Sequence, residues 1–256
     1  MILAIDIGNS SVKFGLFERE RLISRFSVPT VRTQNADEIY ALIRNENLQE
    51  VSAIIISSVV PELRQSFEIL GEKFLRAETV FLNNGFDFGL KILYNPPEKL
   101  GVDRICAAYA ATEKYGAPVI VCDFGTATTI DAVNAKREFS GGIITPGIQT
   151  LSDALFLRAS QLPHVEIKKP ETVFGKSTVE CIQAGVFFGY IGLTEGILRR
   201  MLAELGEKPQ IVATGGFAGL LAENCNLIDV VDENLMLEGL RRIYEKTSAA
   251  KREAFE

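Results

Sequence analysis

The chain opens on four apolar residues, Ile2-Leu3-Ala4-Ile5, that run straight into Asp6-Ile7-Gly8-Asn9-Ser10-Ser11. An apolar run closed by a turn cluster reads as a buried strand. A second apolar stretch, Val12 to Phe17, then meets the charged Glu18-Arg19-Glu20 and completes a hairpin. The same order returns later: Val119-Ile120-Val121-Cys122, then Asp123-Phe124-Gly125-Thr126-Ala127-Thr128, a strand from Thr129 to Val133, and Lys136-Arg137-Glu138. Asp123 stands 117 positions after Asp6, and the same offset carries Gly8 onto Gly125. The pattern predicts a duplicated α/β chain, divided as 1–117 and 118–256, each half led by a hairpin with a D-x-G-hydroxyl turn.

The remaining periodicities fill in two α/β halves. Val51 to Val60 reads as a buried strand ended by Pro61, and Pro61 to Leu75 has apolar residues at helical spacing. Leu100 to Glu113 reads as an alanine-rich helix suited to close packing on a sheet. Ser177-Thr178-Val179-Glu180 is a capping-box pattern, and no proline interrupts a helix from there to about Glu204. Along that helix Gly185, Gly189, Gly192 and Gly196 share one face, at a combined cost of roughly 3–4 kcal/mol against alanine. A close helix contact inside the chain or a seam between two copies would each explain them. Ile211 to Ala213 is a short strand, and Glu238 to Lys246 a closing helix.

Composition narrows the classes. Of 256 residues 47% are hydrophobic and 23% charged, which suits a folded chain with a sizeable core. A formal charge of −6 offers no electrostatic footprint for nucleic acid. The four cysteines form no CxxC pair, so neither a disulfide framework nor a cysteine zinc site is expected. The single histidine, His164, follows a proline in a polar connection and reads as a surface residue. The N-terminus has no positive leader and meets Asp6 at once, and no uninterrupted apolar run reaches the 18 or so residues of a span. A cytoplasmic protein without a membrane partner is expected.

Two acidic turns with glycine and hydroxyls suit a nucleotide. Glycine lets backbone approach phosphate, and Asn9, Ser10 and Ser11 supply donors. Aspartates among phosphates require cations between them, so Asp6 and Asp123 are expected to act through metal ions, directly or through water. Lys13 lies on the same strand face as Ser11 and reads either as a phosphate contact or as a solvated edge residue. Gly175-Lys176-Ser177 imitates the end of a P-loop, but Pro170 occupies the place of its first glycine. No G-x-G-x-x-G follows a strand, which disfavours a Rossmann cofactor site. Thr214-Gly215-Gly216-Phe217 could admit a purine or a phosphate, or be an ordinary turn, and Gly141 to Gly147 reads as turns. Tyr94-Asn95-Pro96-Pro97-Glu98-Lys99-Leu100-Gly101-Val102-Asp103-Arg104 is the most specific segment. Asp103 in the first turn of the alanine helix is either a cap or a general base beside Arg104, which can grip an anion bidentately.

Taken together the segments resemble type III pantothenate kinase, of the acetate and sugar kinase, Hsp70 and actin superfamily. The resemblance is carried by Asp6 to Ser10, Tyr94 with Gly101 to Arg104, Asp123 to Thr129, Gly141 to Gly147, Gly175 to Thr178, and Ala213 to Gly216, in family order along nearly the whole chain. It implies two duplicated ribonuclease-H-like (actin-like ATPase) domains with mixed sheets and the active site in the cleft between them. It implies ATP-dependent phosphorylation of pantothenate to 4′-phosphopantothenate, the first step of coenzyme A synthesis, with Asp103 as base. By the same analogy Asp6, Ile7, Gly8, Asn9, Ser10, Ser11, Val12, Lys13, Thr126, Gly215 and Gly216 bind ATP. Tyr94, Gly101, Val102, Asp103, Arg104 and Thr178 hold pantothenate. Mg²⁺ lies near Asp6, a monovalent cation (K⁺ or NH₄⁺) at Asp123, and the protein is a homodimer. Two other readings stay open. One is another small-molecule kinase of the superfamily; the other is a non-catalytic, nucleotide-binding accessory factor of transcription.

Overall fold

The computed structural model describes the backbone of residues 1–253 and the side chains of residues 1–249. The chain forms two compact units. The first contains Met1–Leu90, Asn95–Ala110 and the C-terminal stretch beginning at Asn234; the second contains Lys91–Tyr94 and Ala111–Glu233. The division therefore differs from a single cut between residues 117 and 118, because a closing helix belongs to the unit that opens the chain.

In the first unit β1 (Ile2–Ile7), β2 (Ser11–Glu18) and β3 (Arg21–Pro29) form an antiparallel meander. Helix α1 (Ala36–Ile43) leads to β4 (Ala53–Ser58), and α2 (Arg64–Ile69), preceded by a short turn at Pro61–Leu63 and continued by a wider helical turn at Leu70–Leu75, leads to β5 (Glu78–Phe81). Strands β4 and β5 add in parallel beside β1, giving the order β3-β2-β1-β4-β5. Strand alternation sends Leu3, Ile5, Ile7, Val12, Phe14 and Leu16 to one face, where they pack with Ile39 and Ile43 of α1 and with Leu63, Phe67 and Leu70. The other face, carrying Asp6 and Lys13 as cross-strand partners, is where the last helix lies.

The second unit repeats the plan. Strand β6 (Lys91–Ile92) precedes α3 (Val102–Tyr115), whose C-terminal end enters this unit. Then β7 (Val119–Phe124), β8 (Ala127–Val133) and β9 (Glu138–Pro146) form the meander, followed by α4 (Ile148–Arg158) and α5 (Thr178–Leu205). Strand β10 (Gln210–Thr214), α6 (Ala218–Ala222) and β11 (Val230–Val231) follow, and α7 (Leu235–Glu253) returns to the first unit. The order β11-β10-β7-β8-β9-β6 matches the first sheet with one strand added at the edge. Ile120, Cys122, Phe124 and Ile130 pack under Ile182, Val186, Tyr190 and Leu198 of α5. By length and composition α5 is apolar enough to cross a membrane. Here its buried residues cover the second sheet, as in a core helix.

The duplication holds, with one correction of register. Asp6 pairs with Lys13, but Asp123 pairs with Thr129, so the second hairpin turn is one residue shorter. Accordingly the Gly8 amide donates to Ser11 O, whereas the Gly125 amide donates to Ala127 O. Gly141 to Gly147, expected as turns, is mostly strand: β9 runs through Gly141 and Gly142 opposite Ala132 and Asp131 of β8. Ser177 caps α5 by accepting from the Glu180 amide at 3.3 Å, but Glu180 accepts from the Lys176 amide rather than from Ser177. Gly206, with φ +65°, ends that helix.

Candidate active site

In the first unit the acidic end of β1 and the start of α3 come close to the same buried thiol. Cys106, one turn beyond Asp103 on α3, is fully buried and directs its Sγ toward Met236 O of α7 at 3.9 Å. Burial pushes this thiol up, and the charges of Asp6 and then Asp103 add to the effect. Lys13, the cross-strand partner of Asp6, shares its side of the sheet. Gly101 sits so close to Asp103 that a Cβ there would stand 2.5 Å from its Oδ1. Arg104 is buried, and Leu100 O before the helix is held by the Asn84 amide at 3.0 Å.

The hairpin turn between β1 and β2 is exposed at Asn9 and Ser10, while Ile7 and Val12 are buried in the core. Those two apolar residues therefore offer a ligand only backbone. The turn is braced from outside: Thr30 Oγ1 donates to Gly8 O at 2.7 Å, the Thr30 amide donates to Ser10 O at 3.1 Å, and Arg32 donates to Asn9 Oδ1 at 2.9 Å.

In the second unit Asp123 is half-buried near the end of β7, with Thr214 of β10 as its lateral partner. The chain then turns at Gly215, where φ is +94° and a Cβ would lie 2.5 Å from Asp123 Oδ1 and 2.7 Å from the Phe124 backbone. The glycine turn and the acidic hairpin are thus one assembly, closed by the Phe217 amide donating to Phe124 O at 3.3 Å. Thr126 is exposed at the hairpin apex, and its carbonyl accepts from the Gly147 amide at 2.9 Å and from Thr150 Oγ1 at 2.6 Å. Behind it Tyr190 donates to Thr128 Oγ1 at 2.6 Å, and burial pushes that phenol up, so it remains a donor at neutral pH. Thr178 lines a pocket of about 370 Å³ with Leu151, Leu155, Leu162, Cys181, Ile182, Gly185 and Val186.

Sequence-predicted residues therefore fall into two groups. Asp6 to Lys13 and Gly101 to Arg104 belong to the first unit; Tyr94, Asp123, Thr126, Thr178, Gly215 and Gly216 belong to the second. Thr30, Arg32, Asn84 and Tyr190 were not singled out from sequence, because each acts through a fold contact distant along the chain. Among the described residues no three His, Cys, Asp or Glu side chains gather to hold a metal. A divalent cation that keeps its waters and takes oxygens from substrate phosphates needs only one or two carboxylates, which Asp6 can provide.

Two sheets that share a core strand order, each opening on an acidic glycine turn, make a duplicated fold of the type seen in actin-like ATPases and sugar kinases. A ROK family glucokinase from Streptomyces griseus, solved with glucose and AMPPNP, superposes with a TM-score of 0.57 at 14% identity, covering 94% of this chain and 98% of that one. A Campylobacter jejuni protein described as a Baf family transcriptional activator gives a TM-score of 0.63 at 23% identity, over 96% of this chain and 99% of that one. These likenesses establish the fold. The family model for type III pantothenate kinase matches residues 2–200. Type III pantothenate kinases of Brevibacillus brevis and Myxococcus xanthus are each 44% identical, covering 97% and 98% of this chain and 100% of both relatives. The chain belongs to the type III pantothenate kinase family and is an enzyme, a kinase that uses ATP and a divalent metal.

Proposed function

We propose that Asp103 is the general base of this kinase and that the two acidic turns divide the work of holding ATP and its cations. The reaction is the ATP-dependent phosphorylation of pantothenate to 4′-phosphopantothenate, which opens coenzyme A synthesis. What supports the assignment of Asp103 is its place in the first turn of α3, directly before the buried Arg104 and one turn before the buried Cys106. Asp103 takes the proton from the pantothenate hydroxyl as that oxygen attacks the terminal phosphate. Arg104 and the Gly101–Val102 turn orient the acceptor, with Arg104 on its carboxylate, and Tyr94 and Thr178 supply further contacts. The Asp6–Lys13 hairpin and Thr126 hold phosphates through amides and hydroxyls, and Gly215-Gly216 lies against the nucleoside. Mg²⁺ near Asp6 and K⁺ or NH₄⁺ at Asp123 offset the charge of the phosphates. Phosphoryl transfer asks for little beyond alignment and charge stabilisation, and these residue types provide both.

The homodimer belongs to the same proposal. A Cβ at Gly185, Gly189 or Gly192 would meet no atom within 4 Å, so the close contact that these glycines permit is not made inside the chain. Exposed Val179 on α5 and exposed Phe174 before it, 86% accessible, are further apolar surface for a second copy. Light scattering is expected to give twice the chain mass, and a monomer at micromolar concentration would refute the seam.

The test of function is ADP release with ATP, Mg²⁺ and pantothenate, in potassium against sodium. Pantothenate-dependent, potassium-stimulated turnover is expected. ATP hydrolysis indifferent to pantothenate would point to another acceptor, and nucleotide binding without turnover would favour the accessory-factor reading.

A further inference from the structure

Arg32 lies in the connection between β3 and α1, outside every segment assigned above, yet its guanidinium spans two partners at the phosphate-type hairpin of the first unit. Nη2 donates to Asn9 Oδ1 at 2.9 Å, and Nη1 donates to Glu62 Oε1 at 2.8 Å. Asn9 is exposed at the apex of the turn. The neighbouring Thr30 docks the same connection onto Gly8 O and Ser10 O, so the approach of Arg32 is fixed by backbone as well as by its own side chain.

The two halves of this grip differ in character. The bond to Asn9 ties the guanidinium to the turn. The bond to Glu62 is an open ion pair, with side chains 55% and 48% exposed, and water and salt screen such a pair. Glu62 is held below the usual carboxylate range first by its own backbone amide and then by Arg32, so it stays anionic and keeps its partner at neutral pH. A triphosphate on this hairpin brings several negative charges, and a planar guanidinium grips phosphate with two parallel bonds where a carboxylate here takes one. The need is local as well: Asp6 adds negative charge on the strand that enters the turn, and Lys13 faces it as its cross-strand partner.

We propose that Arg32 is a phosphate-binding residue of the nucleotide site, its guanidinium contested between Glu62 and the terminal phosphates of ATP while Asn9 keeps hold of it. The proposal rests on the reading of the Asp6–Lys13 hairpin as the ATP phosphate site. It assigns Glu62 the part of a competitor that holds the guanidinium in place between turnovers.

The experiment measures ATP and ADP binding by calorimetry, and steady-state kinetics, for the full-length chain and its R32Q, R32A, E62Q, N9A and S10A variants. A charge-assisted bond to phosphate leads us to expect ATP affinity to fall roughly 10- to 100-fold in R32Q, with ADP affinity falling much less. The KM for pantothenate stays near wild type, and free guanidinium restores part of the rate to R32A. E62Q is expected to bind ATP as well as wild type or several-fold better. If R32Q weakens ATP and ADP equally, and by the same factor as N9A, Arg32 only braces the turn and the proposal fails. It fails too if E62Q weakens ATP binding as R32Q does. If neither N9A nor S10A nor R32Q alters ATP binding, the hairpin assignment itself is wrong. If N9A and S10A weaken ATP binding while R32Q does not, the hairpin stands and Arg32 is excluded.

Discussion

Gly215 and Gly216 are neighbours of the same type, and the structure predicts opposite responses when each becomes alanine. At Gly215 the backbone has φ +94°, and the new Cβ would lie 2.7 Å from both Phe124 N and Phe124 C and 2.5 Å from Asp123 Oδ1. A left-handed conformation costs an L-residue roughly 1–2 kcal/mol. Forcing a methyl into a filled space costs about 1–3 kcal/mol more, and here the obstacle is backbone, which cannot rotate away. The total of about 2–5 kcal/mol corresponds to a melting temperature lower by roughly 5–15 °C in a chain of this size. At Gly216 a Cβ would meet nothing within 4 Å. Alanine there removes unfolded-chain freedom and is expected to leave stability unchanged or raise it by up to about 1 kcal/mol. Calorimetric melts of the two variants give the comparison directly, and the potassium dependence of turnover gives a second readout. On the proposed placement of a monovalent cation at Asp123, G215A should need more potassium, because the carboxylate must move aside. Equal melting temperatures for the two variants, or a larger loss in G216A, would refute the reasoning.

Asp103→Asn keeps the first turn of α3 but removes a proton acceptor, so kcat is expected to fall roughly 10²–10⁴-fold while ATP binding measured by calorimetry stays near wild type; wild-type turnover would remove Asp103 from its role. Among the four cysteines Cys181 is exposed, whereas burial pushes the thiols of Cys106, Cys122 and Cys225 up. Cys181 stands one turn before Gly185 on the proposed seam, so its thiol should be shielded from a disulfide reagent in the dimer and open on dilution to monomer, with four thiols reacting after denaturation. Gly239 of α7 has room for no Cβ, since one would stand 2.8 Å from Ala110 Cβ and 3.1 Å from Cys106 O on α3. Gly239→Ala should cost about 1–3 kcal/mol in chemical denaturation, and adding Ala110→Gly should recover part of that loss beyond additivity.

Much of the fold was legible because its strongest signals are local. The two hairpins announce themselves by an apolar run meeting D-x-G, and α5 by a serine cap at one end and, in the structure, a left-handed glycine at the other. What escaped depends on contacts distant in sequence. Gly141 and Gly142 look like turn residues, yet pairing with Ala132 and Asp131 holds them in a strand. The one-residue difference between the hairpin turns is invisible to an offset that matches Asp6 with Asp123 and Gly8 with Gly125. The candidate site divides the same way. Asp6, Asp103 and Asp123 stand in recognisable motifs, but the contact of Arg32 with Asn9 joins residues 23 positions apart, and nothing in either segment advertises the other. A boundary between 117 and 118 follows the repeat and takes no account of where α7 packs.

That last helix has a consequence for how the protein is made. The strands of the first unit leave the ribosome before the second unit, but the face carrying Asp6 and Lys13 waits for a helix that begins at Leu235, after the whole second unit. At 5–20 residues per second, residues 111–233 alone delay it by roughly 6–25 seconds. Through that interval Gly15 and Phe17, which Leu237 and Arg241 of α7 later approach, have no cover from it. A chain stopped short of Leu235 keeps both acidic turns and Asp103, yet it lacks the helix whose Met236 carbonyl faces the Cys106 thiol.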